Sequence, residues 1–119
     1  MKQYQRLAVW QHAHELTVGV LRATDESHSP RCRQLFDQLR RAAISVEANV
    51  VEGYALSSTP QFRRHLAIAL GSAAEVECLL RIAGELEYLP ETRLAELAAV
   101  VDRTIAVTYG LLKKSRRKT

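Results

Sequence analysis

The sequence predicts an all-α protein: an antiparallel up-down four-helix bundle forming one domain. Three observations carry this. The chain has 119 residues, room for one compact core and hardly for two. Its three prolines, Pro30, Pro60 and Pro90, divide it into quarters. Each quarter repeats apolar residues in steps of three and four, and none alternates at period two long enough to make a convincing strand. Four such segments with short connections are the pattern of left-handed, nearly antiparallel helix packing.

In the first quarter Val9, Ala13, Leu16 and Val20 share a face, with Trp10, Thr17 and Leu21 beside it. The stretch DESHS (25–29) reads as a loop, and Ser29 can cap a helix opened by Pro30. The second face runs Leu35, Leu39, Ala42, Val46, Asn49, Gly53, widened by Phe36, Ala43 and Val50. ALSST (55–59) is the next loop, with Thr59 a candidate cap ahead of Pro60. The third face is Phe62, Leu66, Ala69, Ala73, Val76, Leu80, Ala83. A second stripe there, Ala67, Gly71, Ala74 and Cys78, is all small. Mid-helix glycine costs about 1 kcal/mol against alanine, so something should pack on it: another helix of the bundle, or a neighbouring subunit. Leu94, Leu97, Val101, Ile105, Thr108 and Leu112 make the fourth face.

The net charge is +4, and its placement says more than its size. Residues 113–119 (KKSRRKT) hold five of the 17 Lys and Arg and no acid. The chain therefore divides into a nearly neutral helical domain, 1–112, and a basic C-terminal tail, 113–119. Lys113, Lys114, Arg116, Arg117 and Lys118 are candidate phosphate contacts. Arg40–Arg41 and Arg63–Arg64 bracket the second loop; they either add a basic patch or are solvated and paired with neighbours such as Asp37. Only seven residues are aromatic and none is interleaved with the tail, so base stacking is not the expected mode. No stretch is long and apolar enough for a membrane span, and the N-terminus lacks a signal-peptide pattern, which points to the cytoplasm. Cys32 and Cys78 read as free buried thiols in a reducing compartment, with a single disulfide as the alternative.

Sequence motifs for catalysis are missing. A di-iron bundle needs Glu-x-x-His pairs; no histidine here has a Glu three residues before it, and Asp25–His28 falls in a loop. His12 and His14 diverge by about 200° on a helix and cannot share a metal. There is no zinc-protease motif, phosphate-binding loop or serine-nucleophile motif. A non-enzyme with no metal and no cofactor is expected. Helix two does carry polar residues on and beside its apolar face: Ser45, Asn49 and Glu52. Ser72 and Glu75 stand at comparable height on helix three if the two are hairpin partners. A polar network fixing helix register is one reading; a ligand site of Asn49, Glu52 and Glu75 is the other.

Three stretches carry a family resemblance. Val9-Trp10-Gln11, then Arg40, Arg41, Ala42, Ser45, Asn49, Glu52 and Gly53, then Phe62, Leu66, Ala69, Gly71, Ser72 and Glu75 fit the pattern of the bacterial 23S rRNA intervening sequence proteins. One departure is Val50-Val51, where that family usually has Ile-Ala. The resemblance covers residues 7–80, and the fourth helix joins it by periodicity alone. It implies a four-helix bundle without an established catalytic residue or cofactor. It also implies kinship with the accessory variability determinant proteins of diversity-generating retroelements, which form five-fold rings and bind nucleic acid and a reverse transcriptase. The expectation is a cytoplasmic homo-oligomer, best guessed a pentamer, that binds nucleic acid, foremost RNA, through charge and shape. The alternative is a protein–protein adaptor module without nucleic-acid contact, and an enzyme using the polar network stands third.

Overall fold

The computed structural model describes residues 2–56 and 58–116, the side chain of Arg116 excepted. Four helices dominate: α1 (Ala8–Glu26), α2 (Arg33–Leu56), α3 (Thr59–Glu85) and α4 (Glu91–Arg116). One-turn 3-10 segments precede α1 (Gln3–Arg6) and α2 (Pro30–Cys32), and no strand occurs among the described residues. The prolines act as expected with shifts of a residue or two. Pro30 opens the 3-10 turn rather than α2 itself. Ser58, not Thr59, caps α3, its Oγ accepting from the Gln61 N–H at 3.4 Å. Pro60 then sits in the first turn, where a missing N–H has no consequence.

Each helix packs on two others: α1 on α2 and α4, α3 on α2 and α4. The four apolar faces close one core. Leu16, Val20, Phe36, Leu39, Val46, Leu66, Val76 and Val101 are all buried in it. Along α2 and α3 the partners run in opposite senses: Gln38 meets Glu75, Ser45 meets Ser72, and Asn49 meets His65. Buried threonines on α1 and α4 satisfy themselves on the preceding turn, Thr24 on Val20 O and Thr104 on Val100 O, both at 2.8 Å. Thr17 and Thr104 also reach across, to Ala43 O and His12 O.

Three expectations need correction. The small stripe is not a crossing inside the bundle: Ala67, Gly71, Ala74 and Cys78 are all exposed, and a Cβ on Gly71 would meet nothing within 4 Å. The close approaches lie elsewhere, at Gly53, where a Cβ would stand 2.9 Å from His65 Cβ, and at Gly19 and Gly84 beside leucines of α4. Of the free cysteines only Cys32 is buried. The boundary at residue 112 falls inside α4, so Lys113 and Lys114 stand on a helix rather than in a separate tail.

Candidate functional site

The polar residues of α2 meet α3 in a ladder. Ser45 and Ser72 hydroxyls bond at 2.8 Å. The Asn49 amide donates to Ser45 O at 2.9 Å and Ser45 Oγ at 3.2 Å, leaving its Oδ1 to accept from His65 Nδ1 at 2.9 Å. That contact fixes the orientation of the half-buried imidazole between the two helices. Glu52 approaches the same nitrogen at 3.6 Å from an exposed position. Ser45, Asn49 and Ser72 are thus brought together, with His65, which the sequence pattern missed, as the cross-helix partner. Glu75 stands apart and takes its hydrogen bond from Gln38. Among the described residues no buried side-chain polar atom lacks a partner and no cluster of three metal-ligating side chains occurs. The ladder's polar atoms are spent on one another.

Glu47 is a second acceptor that the sequence pattern underrated. Trp10 Nε1 donates to it at 3.0 Å and His14 Nδ1 lies 2.9 Å away, the imidazole stacked on the indole with centroids 4.7 Å apart. These contacts pin α1 to α2.

The four arginines do not form one patch. Opposed running of α2 and α3 sets Arg40 and Arg41 level with the mid-70s of α3, about ten residues or roughly 15 Å from Arg63 and Arg64. Arg40 is moreover occupied: it bonds Asp37 at 2.6 Å and lies 3.7 Å from Asp25. The guanidinium beside Asp37 holds that carboxyl below its ordinary range. Arg41 donates to Gln38.

Arg63 and Arg64 belong to another neighbourhood. Gln3, Leu7, Tyr54, Ser58, Thr59, Phe62 and Leu111 line one groove, so the start of the chain, the end of α2, the start of α3 and the end of α4 converge. The segments of that half, 2–17, 42–73 and 100–116, hold eight Lys and Arg against four Asp and Glu, of which Glu15 lies 3.7 Å from Arg103. The segments of the opposite half, 18–41 and 74–99, hold seven Lys and Arg against nine Asp and Glu. Lys113, Lys114 and Arg64 are exposed at the basic end. Arg117 and Lys118 lie outside the described residues.

An all-helical domain with a satisfied polar ladder and a one-sided basic end defines a class of compact, helical, charge-segregated protein. The particular family is shown by comparison: residues 5–110 match the model described as 23S rRNA-intervening sequence protein, and the chain belongs to that family. A solved structure shares the fold, with a TM-score of 0.77 and 20% identity over 88% of this chain and 95% of the other. It is described as a protein with unknown function from the S23 ribosomal protein family of Bacteroides thetaiotaomicron. No curated protein gives a significant match. None of the helices described here is long and apolar enough to cross a membrane.

Proposed function

We propose that the chain is a non-enzymatic, cytoplasmic RNA-binding protein, an antiparallel up-down four-helix bundle working as a homo-oligomeric ring, best described as a pentamer. One observation carries the RNA reading: the surplus of cations in one half of the bundle, eight Lys and Arg against four acids, where the other half has seven against nine. Phosphates are the partner that such an end attracts, because a surplus of positive charge raises the local concentration of anions and releases condensed counterions on contact. The Arg63, Arg64, Lys113 and Lys114 side chains, with Arg116, Arg117 and Lys118 following in sequence, are the contacts; Arg40 and Arg41 contribute less.

The ring rests on a different face. On α3 the exposed Ala67, Gly71, Ala74 and Cys78 are joined by Ile68 and Ile82, 42% and 38% exposed, an apolar surface that none of the described residues covers. The same surface supports a second reading, a protein–protein assembly module that touches no nucleic acid. Anisotropy of a fluorescent 12-nucleotide uridine RNA, titrated with protein at several salt concentrations, separates the two. RNA binding predicts a log–log salt slope of about −0.7 per phosphate contacted. Absence of binding at low salt, with a light-scattering mass of several times 13.4 kDa, would leave the adaptor reading standing.

A further inference from the structure

Resting on the RNA reading, we infer that the groove at the basic end receives an unpaired base of a single-stranded RNA. The groove encloses about 620 Å³, within the roughly 300–1,000 Å³ range of small-molecule sites. Its apolar lining comes from Leu7, Phe62 and Leu111 and from the ring of Tyr54, whose hydroxyl is held by Gln3 Oε1 at 2.8 Å. Ser58 and Thr59 supply hydroxyls and Gln3 an amide, the groups that meet base edges. Among the described residues no carboxylate lines it.

The charges around the groove select an anion attached to that base. Lys2 precedes Gln3 in sequence, Arg6 precedes Leu7, and Lys114 stands one helical turn beyond Leu111 on the same face of α4. An apolar slot flanked by cations fits a flat ring carrying phosphates on either side, and fits an uncharged or basic peptide poorly. The groove between α3 and α4 offers the contrast. Leu80, Leu94 and Val101 make an apolar floor there too, but Glu77 and Asp102 beside Arg81 would repel a phosphate. The aromatic residues absent from the basic stretch of sequence are thus delivered to it by the fold. Tyr54 from α2 and Phe62 from α3 reach the end of α4, and stacking on such rings holds a base whatever its identity.

The test compares two 12-mers of equal charge on the unmodified protein: the uridine RNA, and the same sugar–phosphate chain carrying no bases. The base-free chain should bind about tenfold more weakly with an unchanged salt slope, since only stacking is lost. Leu111→Trp, which fills the groove, should lower the uridine affinity to the base-free level while the thermal melt is retained. If that variant does not fold, the two-oligomer comparison decides alone. Equal affinity for both 12-mers overturns the base groove and leaves the charge-based RNA reading intact. Failure of both to bind overturns the RNA reading, and the groove with it. Uridine monophosphate binding as tightly as the 12-mer would replace the strand by a free nucleotide and likewise overturn the inference.

Discussion

The two ends of the bundle use their charges in opposite ways. At the end holding the α3–α4 turn, cations are matched within the fold. Arg93 bonds Glu26 at 2.8 Å and Glu96 at 3.2 Å, Arg81 bonds Glu77 at 3.0 Å, and Arg40 is tied to Asp37. Arg31 lies over the Tyr88 ring, 5.3 Å from its centroid. The carboxylates hold the Arg93 and Arg81 protons more tightly than usual. At the other end the helices are held by close approach and cross-helix hydrogen bonds, Gly53 against His65 and Asn49 on His65, while eight Lys and Arg stand against four acids in that half. A charge neutralised inside the fold is unavailable to a partner, so charge count alone does not locate a binding surface.

The difference should appear first in stability. Gly53→Ala puts a methyl 2.9 Å from His65 Cβ, an atom fixed close to the α3 backbone, with Phe62 Cδ1 3.4 Å away. Overpacking there should cost about 1–3 kcal/mol in denaturant melts. Gly84→Ala at the paired end meets only the tip of the Leu94 side chain, which can turn aside, and should cost less. Equal losses would show that the basic end is not the more tightly approached.

Asn49→Leu comes next. It removes the acceptor of His65 Nδ1 and the donor to Ser45, stranding half-buried polar atoms for about 1–3 kcal/mol. His65→Ala in that background should add less than it does alone, because the pair acts as a unit; strict additivity would dissolve the ladder. Gly71→Ala is expected to go the other way in the isolated protomer. Its Cβ meets nothing, so the helix gains up to about 1 kcal/mol of propensity. If the α3 stripe is the subunit contact, the same methyl weakens assembly, seen as a lower light-scattering mass at equal concentration. A heavier or unchanged assembly would remove the stripe from the interface.

The smallest effect belongs to the half-buried Arg40–Asp37 pair at the other end. Arg40 lowers the Asp37 pKa, so the carboxylate contributes stability above its unfolded pKa and loses it as pH falls through the folded one. Asp37→Asn should therefore depress the melting temperature slightly at neutral pH and have no effect in acid, where the native side chain is itself protonated. A depression persisting in acid would point to packing rather than charge. Surface pairs are worth little, which is why this comparison ranks last.

How much of this was legible in the sequence follows from the range of the interactions. The buried faces were: Val9, Ala13, Leu16 and Val20, or Leu66 through Ala83, needed only the helical period. The Ser45, Asn49 and Ser72 contacts were half legible, because a polar residue beside an apolar face must find a partner, yet naming His65 needs the α2–α3 register. The arginine pairs misled for the same reason: near one loop in sequence, they are separated once α2 and α3 run in opposite senses. The groove was not legible at all, since Gln3, Tyr54, Phe62 and Leu111 come from four separate segments. The exposed small stripe shows the remaining gap, for period alone cannot say whether the surface facing a stripe belongs to the same chain.

The most direct test neutralises each end in turn. Arg64→Gln, Lys113→Gln and Lys114→Gln together should reduce uridine 12-mer affinity steeply and flatten the salt slope by about 2, at 0.7 per lost contact. Arg31→Gln, Arg81→Gln and Arg93→Gln together remove the same formal charge from the other end and should leave affinity within about twofold and the slope unchanged. Equal losses from the two triple variants would contradict the account, because RNA would then be responding to net charge and not to the end where the fold leaves it unmatched.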